Sequence, residues 1–165
     1  AYDEAAVQRA QKLAQKKPFS GCPGMRAKQF QRSTAPAAGA ACPSQLSQWP
    51  VQIKLAGVMA PYFDDADLLI AADCTAYAYG NFHEKFIRGR ITLIGCPKLD
   101  AVDYAEKLTA IFAAHSIRSV TVARMEVPCC GGIEQAVQRA IAASGKDISC
   151  HVTVIGTDGT IQEER

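Results

Sequence analysis

Four short apolar runs, separated by amphipathic stretches, dominate the chain between residues 67 and 155, and this alternation most limits the folds open to it. The runs are DLLIAAD at 67–73, RITLIG at 90–95, a stretch rich in β-formers at 119–127, and a last one at 148–155. Continuous apolar runs of this length suit parallel strands buried on both faces. Between them, residues 101–115 set Val102, Ala105, Leu108, Ile111 and Phe112 on one helical face. Residues 133–144 do the same with Ile133, Ala136, Val137, Ala140 and Ile141, and Gly145 supplies the C-terminal stop. Residues 82–88 read as a short helix ended by Gly89. Strand–helix–strand units of this kind are right-handed and build parallel sheets. The expected fold is therefore α/β, a Rossmann-like or flavodoxin-like three-layer sandwich with a mostly parallel sheet.

Upstream the pattern is less regular. Residues 51–57 alternate as VQIKL and predict a strand with one wet face. Residues 3–16 predict a helix, with Asp3 and Glu4 in the first turn, Lys16 and Lys17 at the end, and Pro18 as its stop. Residues 25–31 suit a short helix, and the Ala-, Pro- and Gly-rich stretch 33–43 suits a loop. No internal repeat is visible. This divides the chain into a linker helix over 1–19 and an α/β cysteine-rich domain over 20–165.

Composition narrows the functional classes. The chain has 165 residues, 48% hydrophobic and 21% charged, the balance of one ordinary globular domain. A net charge of +2 gives no strong pull toward nucleic acid or a membrane surface. No apolar run reaches the ~18 residues a spanning helix needs, and no signal peptide is apparent, which points to the cytoplasm.

Seven cysteines are a high count for such a chain, and the number is odd. With a βα pattern rather than a loop-rich one, that favours a reducing compartment and a metal or redox role over a disulfide scaffold. Their positions say more. Cys74 follows the run DLLIAAD, Cys96 follows RITLIG, and Cys129 and Cys130 follow the stretch that ends at Val127. In an open parallel sheet, ligands bind outside the carboxyl ends of the strands. Three strands are thus expected to bring cysteines to one edge. Cys96 precedes Pro97, Cys22 precedes Pro23-Gly24, and Cys129-Cys130-Gly131-Gly132 opens a helix, whose N-terminus favours anionic thiolates. Cys42 and Cys150 lie outside this pattern and read as small hydrophobes, with Cys150 at the opposite edge of the sheet.

An iron–sulfur cluster is the favoured occupant. Zinc also takes four thiolates, but structural zinc commonly uses Cys-x₂-Cys knuckles, which do not occur here. A dithiol redox site at Cys129 and Cys130 is a third option, opposed by the strain of a disulfide between neighbours. Secondary candidates surround the cysteines: His83 as a tuning group or ligand, and Asp73 and Asp100 as hydrogen-bond acceptors or caps. Glu126 reads as a structural carboxylate. Tyr62, Phe63, Tyr77 and Tyr79 are candidates to shield the site from water, and Lys85, Arg88 and Arg90 read as a solvated basic face. No Walker loop, GxGxxG or Ser/His/Asp signature is present.

The segments SGCPG, SQLSQWPVQIKL, APYFDDADLLIAADC, AYAYGNFHEKFIRG, IGCPKLD and MEVPCCGG together resemble the C-terminal domain of a family of ferredoxin-like 4Fe–4S binding proteins from anaerobic microbes. The resemblance runs from about Ser20 to the end. In that family a two-cluster ferredoxin segment usually comes first. Cys-x₂-Cys-x₂-Cys is absent here, and residues 1–17 look like the connecting helix after such a segment. The resemblance implies Cys22, Cys74, Cys96, Cys129 and Cys130 as the cofactor- and metal-binding cysteines. It gives a cofactor class, a 4Fe–4S cluster, more securely than a reaction. Two functions stay open at this point: an electron-transfer or cluster-carrying module, and a redox enzyme whose cluster keeps an open position for a small substrate. A zinc or structural thiolate domain is the third reading. The expected partners are a ferredoxin-type domain or other redox protein, with a homodimer left open and neither nucleic acid nor membrane involved.

Overall fold

The computed structural model describes Gly39 and residues 41–165. The helices expected at 3–16 and 25–31, the linker boundary at 19 and Cys22 lie outside the described residues. Residues 41–43 carry no regular structure, in keeping with a loop.

Strands β1 (Asp67–Ala72), β2 (Ile91–Gly95), β3 (Ser119–Met125), β4 (Ser149–Ile155) and β5 (Ile161–Glu164) form one sheet in the order β2-β1-β3-β4-β5. β1 pairs in parallel with both β2 and β3, and β3 with β4, whereas β5 returns antiparallel to β4. The α/β fold expected from the alternation is the fold found. Its central strands are apolar on both faces because both faces are covered.

Helix α1 (Thr75–Ala78) and a π-helical turn (His83–Ile87) lie between β1 and β2. Helix α2 (Tyr104–Ala114) connects β2 to β3, and α3 (Gly131–Ser144) connects β3 to β4. Asp103 caps α2 by accepting from the Ala105 N–H at 3.0 Å, which fixes the helix start three residues later than the apolar spacing suggests. Val102 consequently falls outside the helix and is 47% exposed, while Ala105, Leu108, Ile111 and Phe112 are buried. Gly145 ends α3 in the left-handed region at φ 70°, a conformation glycine adopts without steric cost.

The helices α2 and α3 pack on one sheet face, over Leu68, Ile70, Leu93, Val120, Val122, Val152 and Val154. The second face is covered by Phe82, Phe86 and Ile87, which close on Leu69, Ala71, Ala123, Met125 and Ile155. This second layer is only a turn of helix thick. It leaves part of the β3–β4 surface open.

Two expectations upstream and downstream are corrected. Residues 51–57 are not a strand: a single bridge, Gln52 to Ile94, is followed at once by turns in which Leu55 and Ala56 donate back to the Gln52 carbonyl. Ile53 and Ala56 are buried while Leu55 is exposed, so the apolar spacing serves a loop. β4 is not the last strand. The turn at 156–160, where Thr160 bonds to Asp158, folds β5 back onto it.

Candidate functional site

The strand order reverses at β1. From β1 the chain moves outward to β2, then crosses back to β3 on the other side of β1. The loops after β1 and β3 therefore separate, leaving a crevice at the carboxyl edge of the sheet. Cys74 stands beyond β1, Cys129 and Cys130 beyond β3, and Cys96 directly after β2, the other neighbour of β1. All four are free thiols.

Local chemistry fixes each loop. The Asp73 N–H donates to the Gly95 carbonyl at 3.0 Å, extending the β1–β2 ladder by one residue. The Thr75 hydroxyl donates to the Ala72 carbonyl at 2.7 Å and turns the chain, so that Cys74 takes the helix-cap position with its side chain exposed. After β2, the Leu99 and Asp100 N–H groups both donate to the Cys96 carbonyl, at 3.2 and 2.9 Å, which makes 96–100 a tight turn. After β3, Pro128–Cys130 form a 3₁₀ turn in which Cys130 donates to Val127. The twist of this turn separates the adjacent thiols: Cys130 is 5% exposed and packs among Met125, Ile155 and Phe82, while Cys129 is half-buried.

Two close approaches lock the Cys96 turn in place. A Cβ on Gly95 would lie 2.5 Å from the Tyr104 hydroxyl, and one on Gly132 would lie 3.1 Å from Pro97 Cβ. The turn is thus pressed between the start of α2 and the start of α3. The Tyr104 hydroxyl donates to Asp100, which also faces Lys54 at 3.8 Å. Burial and that hydrogen bond push the Tyr104 hydroxyl well above its ordinary range.

The thiols feel one another. Burial first, then Cys96, Asp73 and Cys129, push the Cys74 thiol up. Burial pushes Cys130 up to about 11, with Cys129 and Cys74 adding to it and a main-chain hydrogen bond at Met125 opposing. Asp73 is raised by burial and by Asp100, against a hydrogen bond from Gln52, and its Oδ1 is buried with no hydrogen-bond partner. An edge that gathers thiols and carboxyls in this way disfavours further negative charge unless a cation is present. Among the described residues, no group of three or more His, Cys, Asp or Glu side chains is placed to hold a metal ion.

The neighbours considered alongside the cysteines are mostly employed elsewhere. His83 accepts at Nδ1 from the Gln45 N–H at 3.0 Å. Glu126 holds the Thr157 N–H and hydroxyl, at 3.1 and 3.0 Å, as a structural carboxylate does. Tyr62 and Phe63 do not shield the edge: they precede β1, and Phe63 packs on His115 just ahead of β3, at the amino ends of the strands. Tyr79 packs on Phe86, and Tyr77 is 93% exposed beside Cys74. Lys85 pairs with Glu164 at 2.8 Å and Arg88 with Glu84 at 3.0 Å. Cys150, second in β4 and opposite Val120, lies at the amino edge as expected. Sequence reasoning missed Tyr104, for which the spacing GCPxxD…Y was the available signal, and it named Gly132 without its close approach to Pro97.

Fold and edge together define a doubly wound α/β domain with a thiol-lined switch point. A family model for the Rossmann-like domain matches residues 60–165, and the chain belongs to that family. It is similar to an uncharacterized protein of Archaeoglobus fulgidus, 28% identical over 118 residues, which cover 72% of this chain and 84% of that protein. No solved structure matches.

Proposed function

We propose that the carboxyl edge of the sheet holds an iron–sulfur cluster of the 4Fe–4S type and serves electron transfer, with Cys74, Cys96 and Cys129 as ligands and Cys22 as the fourth. The observation that carries this reading is the arrival of free cysteines from three adjacent strands at one switch-point crevice. The donor set fits: soft thiols are the ligands of such clusters, and α3 begins at the crevice, where its dipole favours anionic sulfur. A single zinc ion needs its thiolates about 2.3 Å from one centre. A four-iron cluster puts each thiolate on its own iron, so its ligands need not share a point. When bound, the cluster supplies a one-electron redox centre. The chain's own residues do the rest. Tyr104, Asp100 and Gly132 hold the Cys96 turn, Thr75 holds Cys74 in its cap position, and Cys130 lies beneath Cys129 as a neighbour.

In this reading the electrons come from a ferredoxin-type domain or other redox protein in the cytoplasm. Exposed Tyr77 and Leu99 flank Cys74 and the Cys96 turn, and offer that partner an apolar contact. Anaerobic purification followed by iron, sulfide and zinc analysis and an absorption spectrum tests the proposal. A brown protein with about four irons and four sulfides per chain is expected. A colourless protein with stoichiometric zinc would replace the cluster by a structural thiolate site.

A further inference from the structure

Away from the cysteine edge, the thin second layer leaves a trough across β3 and β4. Two adjoining cavities, of about 520 and 380 Å³, share Arg90, Thr121 and His151 in their walls. Thr121 and His151 are register partners near the amino ends of their strands, so the trough lies toward the opposite end of the sheet from the crevice. Its size falls within the ~300–1,000 Å³ of small-molecule sites.

The polar groups in this trough are unevenly spent. Its carboxylates are satisfied: Asp67 accepts from Arg118 and Ser119, each at 2.7 Å, and Glu164 pairs with Lys85 at 2.8 Å. Arg90 is different. Its Nη1 donates to the carbonyls of Lys85 and Phe86, at 3.1 and 3.0 Å, and no carboxylate among the described residues meets it. Those two bonds anchor the guanidinium and leave the rest of its donor fork for an anion. Beside it, Thr121 and Thr153 line the same cavity, and neither hydroxyl bonds to another described residue. His151 spends one ring nitrogen, Nε2, on the Ser149 hydroxyl at 3.3 Å. Both threonines line the open trough, and a fixed guanidinium flanked by hydroxyls and an imidazole is a donor set for a tetrahedral oxyanion.

We propose that this trough binds the phosphate group of a small molecule, with Arg90 as its charged clamp and Thr121, Thr153 and His151 as further hydrogen-bonding groups. The site is separate from the cysteine edge and does not depend on the cluster. The test is a titration of the ¹⁵N-labelled full chain with inorganic phosphate, then pyrophosphate, with acetate at equal ionic strength as the comparison. Amide shifts clustered at Arg90, Thr121 and 151–153 are expected, with phosphate or pyrophosphate stronger than acetate. Arg90→Ala should weaken binding about tenfold or more and Thr121→Val several-fold, while Arg90→Lys, which keeps the charge without the fork, falls between. If Arg90→Ala fails to fold, Arg90→Lys and Thr121→Val carry the same comparison. Unchanged affinity in these variants, an equal response to acetate, shifts confined to the start of α3, or no response at 10 mM or so of either phosphate would overturn the proposal.

Discussion

Cys129 and Cys130 are neighbours in the chain but not in environment. The 3₁₀ turn buries one among apolar side chains and leaves the other at the crevice. Cys129→Ala should therefore lose most of the iron. Cys130→Ala should keep it, losing about 1–2 kcal/mol of stability to the small cavity left behind. Iron content and EPR spectra of the two variants check this, and equal loss in both would mean that both thiols are ligands. Nothing in the residues Val127-Pro128-Cys129-Cys130 announces which thiol turns inward; that depends on the 3₁₀ turn, which brings Cys130 into the cluster that holds Met125 and Phe82. The same scale holds a second testable group. Glu134, on α3, is held below the usual carboxylate range first by Arg165 and then by Arg124, which bond to it at 2.8 and 2.7 Å. A carboxyl lowered in the folded state stabilises it above the unfolded value, about 4.3, and the contribution is lost as pH falls through the lower folded value. Glu134→Gln should thus cost about 1–2 kcal/mol near pH 7, and denaturant curves should show the gap closing as the medium is acidified below pH ~4.

Among the elements, the loops that follow β1, β2 and β3 were legible because their strands were. The apolar runs had the length and flanking residues of buried strands, so their carboxyl ends, and the cysteines on them, could be placed before any coordinates. What failed were elements whose sequence does not carry the core signal. β5 reads IQEE and is mostly exposed, so no apolar run marked it. Residues 51–57 carried the right alternation but turn after one bridge. Tyr104 went unmarked in the helical stripe, because its contact is with a glycine 9 positions earlier, across a turn. That contact gives a prediction for the element as a whole. Gly95→Ala should force the Tyr104 ring out of place and destabilise the domain by about 1–3 kcal/mol. Gly132→Val should push Pro97 away from α3 and lower iron content more than it lowers the melting temperature. Tyr104→Phe, which removes only the hydroxyl, should partly relieve the Gly95→Ala variant; a double-mutant cycle of melting temperatures measures the coupling.

For the whole molecule, the sheet is polarised. Its carboxyl edge gathers thiols, while its amino end carries the trough and the buried His115, whose ring bridges Asp64 and the Val58 carbonyl at 2.6 and 2.7 Å. The two ends are joined by the strands and by Phe86, which lines the trough and belongs to the same apolar cluster as Cys130. The flank of the sheet at β2 has its own device. The Gln48 side chain pairs with both main-chain groups of Thr92, accepting from its N–H at 3.1 Å and donating to its carbonyl. Two residues further on, Ile94 donates to Val51 and accepts from Ile53, at 2.7 and 2.9 Å. A side-chain amide and a single bridge thus occupy the outer rim of β2 at Thr92 and Ile94, where a full strand would otherwise be invited to add. A Thr92-Leu93-Ile94 rim left bare would be a template for pairing with other molecules, because such apolar, uncharged segments stack edge to edge. With one glutamine and one bridge spent there, fewer main-chain groups on that rim are left to recruit a neighbouring molecule.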